Sequence, residues 1–240
     1  VKHQYVGDLN DYRKYALLRA LSAGGSVRVG ISWMLTASDR RTDGNNLSYL
    51  NQPERHRQFD PQLFDFFADA SATPDWRRLE TIEASAAIPG ASYFNTELLD
   101  NVSARDDFMG QCALSLADAD LIFFDPDNGL EVSLPKGRRG SCKYLYLDEV
   151  KRFYASEKSL LIYQHFPRIE RGAFTEACAT RLRSVAPDAA LWAFTTSNVL
   201  FLLMIHPNSP ARLTTAALEA SERWDTRFMT GRYLGVGGDN

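Results

Sequence analysis

The sequence predicts an α/β fold in three layers, with helices on both faces of a mostly parallel sheet and an antiparallel hairpin strand toward the C-terminal end. Three observations carry this expectation. Short apolar runs, VRVGISWML at 27–35, ADLIFFD at 119–125 and SLLIYQHF at 159–166, have the length of buried strands. Segments with apolar residues at helical spacing separate them, and alternation of this kind favours parallel crossovers. Near the end, LWAFTTSNVLFLLMIHP reads as two strands around a turn at 196–198.

Taken in order, DLNDYRKYALLRAL opens as a helix that Asp8 or Asn10 caps. Tyr15, Leu18 and Leu21 lie on or near one face, and Gly24 and Gly25 stop it. The strand at 27–35 follows. Residues 36–60 are polar and rich in turn formers, which predicts a long loop or insertion over one end of the sheet. Phe59, Leu63, Phe66 and Phe67 predict a helix over 61–70, and a shorter one is expected at 75–82. ASYFN, 91–95, reads as a strand. Phe108, Cys112 and Leu116, four residues apart, predict a helix over 104–117. After the strand at 119–125, PDNGLEVSLPKGRRGS is a loop. A helix is expected within 144–154, although the alternation in KYLYLDE leaves a strand open there. A strand at 159–166, a helix at 173–185, the hairpin and a helix at 210–224 complete the chain, with GVGGDN as a loose tail. No repeat or low-complexity linker divides it, so residues 1–240 read as a single domain.

Composition narrows the function classes. A formal charge of −3 argues against broad, non-specific nucleic-acid binding. Three scattered cysteines, Cys112, Cys142 and Cys178, give neither a disulfide framework nor a structural zinc site, and no two histidines have ligand spacing. The longest apolar run, VLFLLMI, is too short to span a bilayer. The opening residues lack the apolar stretch of a signal peptide, so a cytoplasmic protein is expected.

The chemistry concentrates where LIFFDPDNGLEV leaves its strand. Ligands of α/β sheets bind beyond the carboxyl ends of strands, so Asp125 should face a crevice. Asp125, Asp127 and Glu131 could offer hard oxygen ligands to magnesium or manganese. DPDNG is also similar to the first motif of haloacid dehalogenase-like phosphatases. The same residues can form only a turn, with Pro126 fixing φ, Asp127 or Asn128 bonding the backbone, and Gly129 at positive φ. Without a metal, Asp125 could accept a hydrogen bond from an exocyclic amine, so that rate would come from positioning.

FFDPDNG resembles the Asp-Pro-Pro-Tyr motif of class I S-adenosylmethionine-dependent amino-methyltransferases. HQYVGDLNDYRKYALLRAL is similar to the opening of the bacterial 23S ribosomal RNA adenine-N6 methyltransferases. LLIYQHFPR and TTSNVLFLLMIHPNSP resemble later segments of that family. The resemblance implies a Rossmann-like sheet, S-adenosylmethionine as cofactor, and a nucleotide or nucleic-acid substrate. It implies Asp125 as the amine acceptor, with Asp127, Asn128, Lys14 and His165 in the catalytic cleft. Cofactor contacts would fall to His3, Tyr5, Asp8, Asp11, Ser32 and Asn95. The chain departs from the family in two places. One glycine, Gly30, stands where a glycine-rich loop is expected, and Asn128 replaces the stacking Tyr, for which Tyr144 or Tyr146 could substitute.

Each candidate has a plainer alternative. Lys14 can be a solvated helix residue or pair with Asp11 at i,i+3. His165 can be a hydrogen-bonded edge residue or a proton-transfer group. Two basic clusters, Arg40–Arg41 and GRRG with Lys136 and Lys143, could contact phosphates or be solvated. Three readings stay open: methyl transfer to an amine, metal-dependent chemistry on a phosphoester or nucleotide, and ligand binding without catalysis.

Overall fold

The structure, a computed structural model, describes residues 1–37 and 44–237. Eight α-helices are described: α1 (Leu9–Leu21), α2 (Pro53–His56), α3 (Pro61–Ala70), α4 (Leu79–Ala84), α5 (Val102–Ser115), α6 (Leu147–Tyr154), α7 (Arg171–Arg183) and α8 (Ala211–Arg223). Strands are β1 (Val29–Ser32), β2 (Ser92–Phe94), β3 (Leu121–Phe124), β4 (Gly129–Leu130), β5 (Tyr144–Leu145), β6 (Ser159–His165), β7 (Ala190–Thr195), β8 (Val199–Ile205) and β9 (Thr230–Val236).

Seven strands form one sheet in the order β2-β1-β3-β6-β8-β7-β9. Strand side chains alternate between its faces. Ile31, Leu121, Phe123, Leu161 and Phe201 pack with residues of α1, α3, α4 and α8. Their neighbours Ile122, Phe124, Leu160, Ile162 and Leu202 pack with α5, α6 and α7. Both faces are therefore buried, which is why these strands are apolar at consecutive positions. Each fully buried Leu or Phe contributes about 1.5–3 kcal/mol.

The expectation of a mostly parallel, Rossmann-like sheet is overturned. Half the ladders of the seven-stranded sheet are antiparallel. Strands β2-β1, β1-β3 and β3-β6 pair parallel, whereas β6-β8, β8-β7 and β7-β9 pair antiparallel. The physical reason lies in the C-terminal third. The β7-β8 hairpin folds so that β8 wedges between β6 and β7, and β9 then adds to the far side of β7. The supposed loose tail is part of that edge strand as far as Val236, which pairs with Ala190. Gly231 permits this close approach, because a Cβ there would lie 2.5 Å from Ser221 Cα. With the mixed sheet, the description as a Rossmann-like methyltransferase loses its structural ground.

Boundaries at the other elements follow local chemistry. Asp60 caps α3 by accepting from Leu63 N, and Asn101 caps α5 by accepting from Ala104 N. In the ambiguous KYLYLDE segment both options are realised: Tyr144 and Leu145 pair with Gly129 and Leu130, and α6 starts at Leu147. Among the described residues, no helix is long and apolar enough to cross a membrane.

Candidate functional site

Strand β3 ends at Phe124, and Asp125 N donates to Ser32 O at 3.1 Å. This bond extends the β1-β3 ladder by one residue and fixes where the Asp125 side chain leaves the sheet. Pro126 then turns the chain. On the opposite wall, Asp8 caps α1 by accepting from Asn10 N and Asp11 N at 2.8 and 2.9 Å. The cap sets the helix phase, and the i,i+3 spacing places Asp8, Asp11 and Lys14 along one side of the helix.

These walls meet at a buried ion cluster. Lys14 Nζ lies 2.7 Å from Asp125 Oδ2 and 2.6 Å from Asp11 Oδ1. Tyr15 donates its hydroxyl to the other Asp11 oxygen at 3.1 Å. The ammonium also lies 5.0 Å from the Tyr15 ring centroid and 5.6 Å from that of Trp33. Burial acts to lower the Lys14 pKa, but Asp11 and Asp125 outweigh it and hold it above its ordinary value. Lys14 is therefore charged, and it is shared by two carboxylates. Asp8 adds a third acid, raised from an ordinary 3.8 to about 7 by burial and then by the charge of Asp11.

Above the cluster opens a cleft of about 390 Å³. Tyr5, Asp8, Asp11, Lys14, Asp125, Asp127, Asn128 and His165 all line it, although they come from distant parts of the chain. His3, Ser32 and Asn95 do not. The ring of His3 accepts from Leu79 N through Nδ1, Asn95 donates to Glu83, and Ser32 is buried within β1. Ser32 nevertheless shapes the site through its carbonyl, as described above. The candidate stacking rings are also elsewhere. Tyr146 donates its hydroxyl to Leu134 O and covers Arg105, and Tyr144 is held in β5.

Lys2, Lys143 and Tyr163 line the cleft without having been singled out as site residues. A signal for Tyr163 existed: in a strand, residues 163 and 165 share one face, so a cleft that takes His165 takes Tyr163 as well. Lys143 belonged to a basic cluster that the structure separates. Lys136 instead pairs with Asp148 and Glu149. Arg138 and Arg139 are exposed, and Arg40 and Arg41 lie outside the described residues.

The expected S-adenosylmethionine and magnesium do not fit these residues. No glycine-rich loop follows β1. The next residues, Trp33 and Met34, are fully buried, and Trp33 stacks on Tyr93. Gly30 serves packing, since a Cβ there would lie 2.9 Å from Ala119 Cβ. As for a metal, Asp125 is engaged by Lys14, while Asp127 accepts from Thr36 Oγ1 at 2.9 Å. Among the described residues, no group of three or more His, Cys, Asp or Glu could hold a metal ion.

Comparison with known proteins adds no function. No family model matches the chain, and neither does any curated protein. Among solved structures, protein LPL1258 from Legionella pneumophila, described as DUF519, aligns over 97% of this chain and 98% of its own, with 12% identity and a TM-score of 0.43. A likeness at that level carries no argument about activity, and it gives the methyltransferase description no support.

Proposed function

We propose that the cleft binds the amine-bearing base of a nucleoside or nucleotide, with Asp125 as the hydrogen-bond acceptor. One observation carries the reading. The Asp125 side chain is only 4% exposed, Lys14 uses Oδ2, and Oδ1 has no protein partner among the described residues. Oδ1 is thus left on the cleft side as an acceptor, and an N–H entering the cleft can form a charge-assisted hydrogen bond to it. Tyr5 and Tyr163, which line the same cleft, supply aromatic faces for a base. The resemblance of FFDPDNG to amino-methyltransferase sequences supports the amine and is not carried on to the cofactor. The three free cysteines fit a reducing cytoplasm.

The test is isothermal titration with adenosine and with N6,N6-dimethyladenosine, which keeps the base but has no N–H to donate. Adenosine should bind about tenfold more tightly or better, as expected for a hydrogen bond to a charged acceptor. Asp125→Asn should erase most of that preference. Equal binding of the two nucleosides would overturn the reading, and so would an unchanged preference in the variant.

A further inference from the structure

The floor and the mouth of the cleft have opposite character. The floor is rich in carboxylates: Asp11 and Asp125 share one lysine, and Asp8 lines the same cleft. At the mouth stand Asn128, Lys143 and His165, all of which are more exposed and line the same cleft. Their backbones are tied together. Asn128 N donates to Lys143 O at 2.9 Å, and His165 N donates to Asn128 O at 3.1 Å. Neither the Lys143 ammonium nor the Asn128 side-chain amide has a partner among the described residues. His165 Nδ1 lies 3.0 Å from Phe166 O. A carbonyl only accepts, so Nδ1 carries the hydrogen, and Nε2 of the neutral ring is then an acceptor that offers nothing to an anion.

This mouth is held rigidly. Buried Gln164 accepts from Leu130 N through Oε1 at 2.8 Å and donates from Nε2 to Asn128 O at 3.0 Å. Gly129 makes the fit possible. Its φ is +119°, and a Cβ there would fall 2.3 Å from Gln164 Oε1. The turn carrying Asn128 is therefore preorganised, which lowers the cost of binding.

We propose that Asn128 and Lys143 form an anion subsite at the mouth of the cleft, so that the preferred ligand is a nucleoside monophosphate whose base amine reaches Asp125. The identity of the whole ligand rests on the amine reading above; the anion subsite does not. Donors at the mouth and acceptors at the floor match a molecule with a phosphate at one end and an amine at the other.

Titration with three probes separates the two claims: adenosine carries the amine alone, ribose 5-phosphate the anion alone, and adenosine 5′-monophosphate both. At low salt the monophosphate should bind about tenfold more tightly than adenosine. Lys143→Gln should remove that advantage and weaken ribose 5-phosphate, while adenosine binding stays unchanged. If adenosine binds but the monophosphate is no tighter and ribose 5-phosphate is silent, the subsite is refuted and the amine reading survives. If only the phosphate-bearing probes bind, equally and through Lys143, the subsite stands and the amine reading falls. A Lys143→Gln variant that weakens all three probes equally would refute the subsite, and silence from every probe would refute both claims.

Discussion

Two buried ion clusters lie on opposite faces of the sheet, and they are built differently. On the α5–α6 side, Arg105 meets Glu149 in a two-pronged pair at 2.5 and 2.8 Å. Two more guanidinium hydrogens go to Ser141 O and Tyr144 O, and Tyr146 covers the group at 4.6 Å. Glu149 also accepts from Tyr146 N and pairs with Lys136. One acid meets matching donors and the geometry is closed. On the α1 side, one lysine serves Asp11 and Asp125 beneath an open cleft, with Asp8 close by. A buried pair whose carboxylate is fully engaged and whose guanidinium is almost fully bonded joins α5 to α6. A buried cluster with surplus acceptor capacity facing empty space is suited to receive a ligand.

The largest expected effect breaks the closed cluster. Arg105→Met leaves Glu149 without its main partner and should cost about 3–5 kcal/mol. Arg105→Lys should recover only part of this, because an ammonium cannot reproduce the fork. The shift in urea midpoint at constant slope measures both variants. Near-neutral midpoints would show that the Arg105–Glu149 pair does not fasten α5 to α6.

A smaller effect sharpens the open cluster. Asp8 has a folded pKa of about 7 against an ordinary 3.8, so folding takes up a proton between those values. Its contribution to stability is fully present below about pH 4 and is lost as pH rises through about 7. Asp8→Asn keeps an oxygen to cap α1 and removes the titration. The variant should therefore gain on wild type between pH 4 and 8, by on the order of 1 kcal/mol. Stability curves that stay parallel across this range would mean that Asp8 is not held protonated by its surroundings.

The sequence exposed the elements of this contrast better than their assembly. An apolar run ending in Asp-Pro marked Asp125, and helical spacing with a cap placed Asp8, Asp11 and Lys14 on one helix. That Lys14 reaches across 111 positions to Asp125 is a product of packing, for which neither local stretch carries a signal. The direction of strand pairing was similarly hidden. VLFLLMI is apolar throughout, so it reads as buried but does not tell which neighbours it will pair with. β9 has half-exposed residues and two glycines, the pattern of a tail, and becomes a strand only because β7 offers it an edge. His3 and Asn95 show the converse: residues attractive by resemblance, which the fold turns toward Leu79 and Glu83.

A crystal structure of the protein soaked with adenosine tests the central claim most directly. The account predicts the base in the cleft, with its exocyclic nitrogen within about 3.2 Å of Asp125 Oδ1 and the Lys14 pairings intact. A base bound outside the cleft, or one that turns its amine to solvent and leaves Oδ1 without a donor, would contradict it.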